Sequence, residues 1–340
     1  MKSKKVSPFV IVSSPGMHEM AESVIKLLAK KGVDLEHQEV EYTEFANKEV
    51  VARIPQTVRR QHVFFFHPLQ FPSPNEAVMR MLIACDALMR GSVRKITLVV
   101  PYLSYLRQDR KDKPRVPITA RLIADLIEGN RAIRNIVTMD MHTEQAQGFF
   151  SIPVDNISSK RLFARTIKEW FATNLKDIVV AAPDVGSAKR ARKFAEEIYE
   201  LAKDTVEDIP ITIIDKSRPK ANVSQVLSVI GEPVKGKIVV IYDDMIDTGG
   251  TIVNAAKALL ASPHDAKEVH VMATHGIFSG NALKFLKESG IHIYTSNSIP
   301  RSDAFEAEHA SWHSTIMIDK LISKAIYEHM LVGGSVSKLS

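Results

Sequence analysis

Two carboxylates, Asp243 and Asp244, follow the apolar run 239–242, and shortly afterwards the chain reads Asp247-Thr248-Gly249-Gly250-Thr251. Consecutive glycines let backbone N–H groups approach a phosphate closely, and the start of a helix adds a favourable partial charge. A one-sided apolar stripe, Ile252, Val253, Ala255, Ala256, Leu259 and Leu260, predicts that helix, with Thr248 or Thr251 as its cap. This is not a Walker A loop, because no lysine follows the glycines and the GxxxxGK[ST] spacing is absent. Adjacent acids would repel a triphosphate; they suit a ribose diol or the shell of a hard cation. A plain capped strand-to-helix junction would look similar. The sharper reading is a cradle for a phosphorylated sugar.

Other apolar runs also end in groups able to do chemistry. One leads into Pro183-Asp184-Val185-Gly186, another into Asp140-Met141-His142-Thr143-Glu144-Gln145, and a third into Pro101-Tyr102 and then Arg107-Gln108-Asp109-Arg110. Singly, each is explained by caps, salt bridges and loop solvation. Together, carboxylates, an imidazole and guanidinium groups at strand ends point to a metal and polyphosphate site, since open α/β sheets bind ligands beyond their carboxyl ends.

The elements that must position these groups are short β-rich runs at 9–14, 62–68, 95–101, 135–141, 177–184, 211–216, 237–244, 268–276 and 291–297. Most are apolar on both alternating faces, as strands covered on both sides are. Helical patterns such as "EAVMRMLIACDALMR" and "AKRARKFAEEIYELAK" separate them. The alternation predicts an α/β protein of two tandem doubly wound domains with mostly parallel sheets. The expected domains are 6–156 and 157–330, divided near "IPVDNISS", with 331–340 as a disordered tail. Both halves share the strand, polar loop, helix style of a diverged duplication, but no residue-level repeat marks one.

The composition is globular, with 45% hydrophobic and 25% charged residues over 340 positions. A net charge of +6 suits anionic small molecules and does not require nucleic acid. The single cysteine, Cys85, excludes an intramolecular disulfide framework and reads as a buried structural thiol on a helix rather than a nucleophile. No run approaches the roughly 20 apolar residues that span a bilayer. The apolar run after "MKSKKVSP" is too short for a signal peptide, and "SKL" is not terminal because Ser340 follows it, so a cytoplasmic location is expected.

"VVIYDDMIDTGGT" resembles the 5-phosphoribosyl-diphosphate binding motif, which is shared by phosphoribosyltransferases and by ribose-phosphate diphosphokinases (PRPP synthetases). "PYLSYLRQDRKDKPRVPITARLIADLI", "MDMHTEQAQGFFSIPVDNI", "DKSRPKANVSQV" and "ATHGIFSGNA" resemble the diphosphokinases, and the likeness runs from about Phe9 to at least Ile299. It implies a type I phosphoribosyltransferase-like fold and transfer of the β,γ-diphosphoryl group of ATP to ribose 5-phosphate, with Mg²⁺. By resemblance, Asp247, Thr248, Gly249, Gly250 and Thr251 hold the 5-phosphate, and Asp243 holds ribose hydroxyls with help from Asp244. Arg107 and Gln108 hold ATP, Phe45 stacks on adenine, and Asn47, Lys48 and Glu49 complete that loop. His142 and Asp184 match the Mg²⁺-associated positions; the hard ion favours Asp184, with His142 acting through water. Lys216 and Arg218 match the catalytic loop that closes on the reacting phosphates, and Arg218 also faces ribose 5-phosphate.

The chain departs from the family pattern in places. Asn47-Lys48-Glu49 stands where Asp-Gly-Glu is usual, Ser217 replaces a common second arginine, and Ser187 replaces a frequent glycine. These changes bear on ATP contacts and allostery more than on the ribose phosphate loop. A non-catalytic synthetase-associated subunit is one alternative, opposed by Lys216, Arg218, His142, Asp184 and the intact acid-glycine motif. A phosphoribosyltransferase that consumes PRPP is another, opposed by the long first half with "RQDR". Relatives form dimers that build hexamers, so the same homo-oligomer is expected, with neither nucleic acid nor membrane as partner.

Overall fold

The computed structural model describes residues 7–217, 226–331 and 334–336. The chain forms two compact units: one runs to Ser158 and adds Ser298–Pro300 and the segment from Met317, and the other comprises Ser159–Asn297 and Arg301–Ile316.

In the first unit the strands are β1 (Phe9–Ser13), β2 (Glu36–Glu39), β3 (Glu41–Glu44), β4 (Val50–Arg53), β5 (His62–Phe66), β6 (Lys95–Val99), β7 (Ile133–Met139) and β8 (Val154–Ile157). Its helices before Ser158 are α1 (His18–Ala29), α2 (Pro74–Arg90) and α3 (Thr119–Glu128). Six strands pair in parallel in the order β2-β1-β5-β6-β7-β8, while β3 and β4 form a separate antiparallel hairpin. Every residue of β5 is buried, including Phe64, Phe65 and Phe66, each contributing about 1.5–3 kcal/mol of hydrophobic stabilisation. Ser73 caps α2 by accepting from Glu76 N–H at 3.3 Å, with Pro74 at the first helical position. Cys85 is fully buried on α2, and burial pushes its thiol pKa up, which fixes it as a structural thiol.

The second unit contains α4 (Lys160–Trp170), β9 (Ile178–Ala182), α5 (Ala188–Ala202), β10 (Ile211–Ser217), β11 (Val226–Gly231), β12 (Ile238–Ile246) and α6 (Gly250–Leu260). It continues with β13 (Glu268–Gly276), α7 (Ala282–Ser289), β14 (His292–Ser296), α8 (Asp303–His309) and β15 (His313–Ile316). The sheet order is β11-β10-β9-β12-β13-β14-β15, and only the β10–β11 pair is antiparallel.

Leaving out the hairpin and β11, both sheets follow the same order: second, first, third, fourth, fifth, sixth strand. That shared order is what a diverged duplication produces. The direction of winding reverses between β1 and β5 in one sheet and between β9 and β12 in the other. Such switch points open the crevices in which doubly wound sheets bind ligands.

The structure departs from the sequence expectations in identifiable places. The C-terminal helix α9 (Asp319–Met330) groups with the first unit, so the second ends at Ile316 rather than at 330. It packs on α1, and His329 pairs with Asp155 of β8 at 2.7 Å. Asp243 and Asp244 lie inside β12, which continues to Ile246. Neither Thr248 nor Thr251 caps α6; Gly249 occupies that position with φ of 75°.

Candidate functional site

The β9/β12 switch point gathers the acids. After β9, Asp184 Oδ1 accepts from Ser187 N–H at 2.9 Å, capping the short turn that leads into α5. On β12, Asp244 is almost fully buried, and the Asp243 side chain retains 15% of its exposure. Arg190, in the first turn of α5, binds both: its Nη1 donates to Asp244 Oδ1 at 2.9 Å and to Asp243 Oδ1. Asp243 Oδ1 also accepts from Asp244 N–H at 2.9 Å and faces Ser187 Oγ at 3.5 Å. Burial and the neighbouring Asp244 charge push the Asp243 pKa up, and Arg190 opposes that shift. Two adjacent buried carboxylates without a counter-ion would be strongly destabilising, and the guanidinium offsets part of that cost.

The phosphate-type loop, Asp247-Thr248-Gly249-Gly250-Thr251, begins directly after β12 ends at Ile246. Gly249 has φ of 75°, and a Cβ there would come within 3.3 Å of the Leu286 side chain. Only glycine meets both conditions without cost. No side chain caps α6, and a helix start carries the partial positive charge that favours an anion. The loop is braced from behind. Ile246 O accepts from Ile277 N–H at 2.9 Å and Phe278 N–H at 3.1 Å, and Asp247 O accepts from Ser279 N–H at 3.0 Å. Arg301 in turn donates to the Gly276 and Ile277 carbonyls and lies over the Phe278 and Phe305 rings, 5.3 and 4.8 Å from their centroids. Thr248 and Thr251 are exposed, and Asp247 is half-buried.

Lys216 lies near the end of β10, in register with Leu227 of β11, and Arg218 lies outside the described residues. The structure therefore brings together Asp243, Asp244 and, through Ser187, Asp184. The glycine loop continues from the same strand.

In the first unit, residues 45–49 form the tip of the β3–β4 hairpin, and Phe45 is 52% exposed there. Lys48 takes φ of 72°, the left-handed conformation that glycine usually supplies. Asn47 Oδ1 accepts from Glu49 N–H at 3.1 Å, a bond an aspartate would also make. The Asn-Lys-Glu departure thus keeps the turn geometry. Arg107 and Gln108 are exposed after β6, and Gln108 O accepts from Ala120 N–H at 3.2 Å at the start of α3. Thr143 Oγ1 donates to Asp109 Oδ2 at 3.1 Å, joining that loop to the one after β7 that carries His142. β6 and β7 are parallel neighbours, so both loops leave the same edge of the sheet.

Arg190 went unnoticed in the sequence. Its signal was present: a cation in a helix's first turn opposes the helix dipole and calls for an acidic partner.

The second half of the chain has a phosphoribosyl transferase fold: residues 153–307 match the family model described as "Phosphoribosyl transferase domain". Residues 9–130 match the model for the "N-terminal domain of ribose phosphate pyrophosphokinase". A ribose-phosphate pyrophosphokinase of Clostridium acetobutylicum is 46% identical over 257 residues, 75% of this chain and 76% of the relative. One from Caldanaerobacter subterraneus subsp. tengcongensis is 42% identical over 296 residues, 87% of each chain. The crystal structure of phosphoribosylpyrophosphate synthetase from Mycobacterium smegmatis superposes with a TM-score of 0.79 at 32% identity, covering 95% of this chain and 98% of that one. The chain belongs to the ribose-phosphate pyrophosphokinase family.

Proposed function

We propose that this enzyme transfers the β,γ-diphosphoryl group of ATP to the anomeric hydroxyl of ribose 5-phosphate, giving 5-phospho-α-D-ribose 1-diphosphate and AMP. The observation that carries the reading is the acid pair and glycine loop on one strand-to-helix junction, in a chain whose first half matches the pyrophosphokinase N-terminal domain.

In this reading the 5-phosphate rests on Asp247, Thr248, Gly249, Gly250 and Thr251, and Asp243 accepts ribose hydroxyls with Asp244 beside it. Phe45 stacks on adenine at the tip formed with Asn47, Lys48 and Glu49, and Arg107 and Gln108 hold ATP. The anomeric oxygen attacks the β-phosphorus in line, losing its proton as the new O–P bond forms and the bond to AMP breaks. Lys216 and Arg218 neutralise the charge that grows on the phosphates.

Asp184 fits a magnesium site of the kind that takes one or two carboxylates and completes its shell with phosphates and water. Its Oδ2 has no partner among the described residues, where no cluster of three His, Cys, Asp or Glu forms a ready metal site. Mg²⁺ held there would supply charge neutralisation on the phosphate oxygens, and His142 is the other Mg²⁺-associated position by family likeness. No helix among the described residues is long and apolar enough to cross a membrane. We place the enzyme in the cytoplasm as dimers assembling into a hexamer, on the strength of the family likeness.

The test is incubation with Mg²⁺-ATP and ribose 5-phosphate while AMP is followed. AMP formed only in the presence of the sugar supports the reading. No AMP across varied phosphate and metal concentrations points to a non-catalytic associated subunit. Transfer of ribose phosphate from PRPP to a base points to a phosphoribosyltransferase. Lys216→Ala should lower turnover by about 10²–10³ with the fold intact; wild-type turnover in that variant removes Lys216 from the mechanism.

A further inference from the structure

We propose that Arg190 is a positioning residue for the sugar: it holds Asp243 by one carboxylate oxygen and neutralises Asp244, leaving the other oxygen of Asp243 for a ribose hydroxyl. The inference rests on the ribose 5-phosphate reading above and adds a residue to it.

Three contacts converge on a single atom, Asp243 Oδ1: Arg190 Nη1, Asp244 N–H at 2.9 Å and Ser187 Oγ at 3.5 Å. None of these three contacts falls on Asp243 Oδ2. A carboxylate anchored at one oxygen cannot rotate, so the other becomes a fixed acceptor, as recognition of a hydroxyl requires. The two acids also differ in access. Asp244 retains 5% of its side-chain exposure against 15% for Asp243. Asp244 is therefore the buried partner of the guanidinium, and Asp243 is the one a ligand can reach.

The position of Arg190 supports this role. It sits in the first turn of α5, where the helix dipole disfavours a cation. Binding two carboxylates at once offsets that cost. The same turn begins with Ser187, whose N–H is held by Asp184, so the helix start, the metal candidate and the acid pair form one connected unit. A displacement of Arg190 would reach Asp243 directly and the phosphate loop only through the strand.

Wild type, Arg190→Lys, Arg190→Gln and the double variant Arg190→Gln/Asp244→Asn are compared in steady-state kinetics. Arg190→Gln should raise KM for ribose 5-phosphate about tenfold to a hundredfold, the scale of a lost charge-assisted hydrogen bond, and leave KM for ATP nearly unchanged. Its kcat/KM for ribose 5-phosphate should also rise with pH at a higher pH than in wild type, because Asp243 loses the neighbouring charge that opposes the upward shift of its pKa. Lysine retains the charge but not the planar guanidinium and should recover part of the affinity. Removing the Asp244 charge in the double variant should recover part as well.

An unchanged KM and pH profile in Arg190→Gln, or equal losses for both substrates, overturns the assignment. If Arg190→Gln fails to fold by circular dichroism, Arg190→Lys decides: a raised KM for the sugar supports the assignment, and a wild-type KM overturns it. Calorimetric titration with ribose 5-phosphate separates this inference from the reaction itself. Sugar binding that depends on Arg190 in a protein forming no AMP leaves Arg190 in place and overturns the diphosphokinase reading. No sugar binding by wild type overturns both.

Discussion

Tyr42 Oη lies 3.0 Å from Ser14 Oγ, tying the hairpin that carries Phe45 to the buried end of β1. The protons in this chain of bonds can be placed. His67 Nε2 faces the Ala77 carbonyl at 2.8 Å and must donate, so Nδ1 accepts from Ser14 Oγ at 2.7 Å. Burial lowers the His67 pKa to about 4 and raises that of Tyr42 to about 12, so both stay neutral near pH 7. Tyr42 Oη is then the donor, to Ser14 or to the Arg80 carbonyl at 3.3 Å. Tyr42→Phe should cost about 1 kcal/mol in denaturant unfolding. It should also raise KM for ATP severalfold and leave KM for ribose 5-phosphate unchanged. Equal effects on the two substrates would separate the hairpin from ATP.

Gly249→Ala tests the phosphate loop. A side chain at φ of 75° carries about 1–2 kcal/mol of left-handed strain and meets Leu286. The loop should shift to relieve both, raising KM for ribose 5-phosphate at least tenfold while the thermal midpoint falls by only a few degrees. A wild-type KM would show that the sugar phosphate binds elsewhere.

Lys48→Gly tests the hairpin tip. Lys48 already occupies glycine's backbone conformation, so the change relieves strain and loses only the exposed pair with Glu44. The thermal midpoint should hold or rise, and KM for ATP should move by no more than about twofold, because such pairs are weak in water. A large loss of ATP affinity would instead give the lysine ammonium a direct part in nucleotide binding.

Acid should destabilise the protein earlier than its carboxylates alone would dictate. Burial lowers the pKa of His62 to about 3 and of His67 and His313 to about 4, from an ordinary value of 6.5. The folded values are depressed, so this stability is full above pH 6.5 and is lost as pH falls toward 4, where the unfolded chain binds the extra protons. Each group contributes up to about 1.4 kcal/mol per pH unit within that window. Urea unfolding at pH 7, 6 and 5 measures the slope, and His62→Gln should flatten it.

The strands legible in the sequence were those of the sheet interiors: β1, β5, β6 and β7 in one, and β9, β10, β12, β13 and β14 in the other. The edge strands β2, β8, β11 and β15 were not recognised. β2 and β8 read "EHQE" and "VDNI", because a strand with one open edge need not be apolar on both faces. The glycine loop and the neighbouring acids were equally legible, since close backbone approach and charge pairing are properties of residue type and local spacing. The pairing of Arg190 with Asp243 and Asp244 joins positions 53 residues or more apart, and only the parallel pairing of β9 with β12 sets α5 against them. Local chemistry was written along the chain; which cation neutralises which acid was decided by the packing of the sheet.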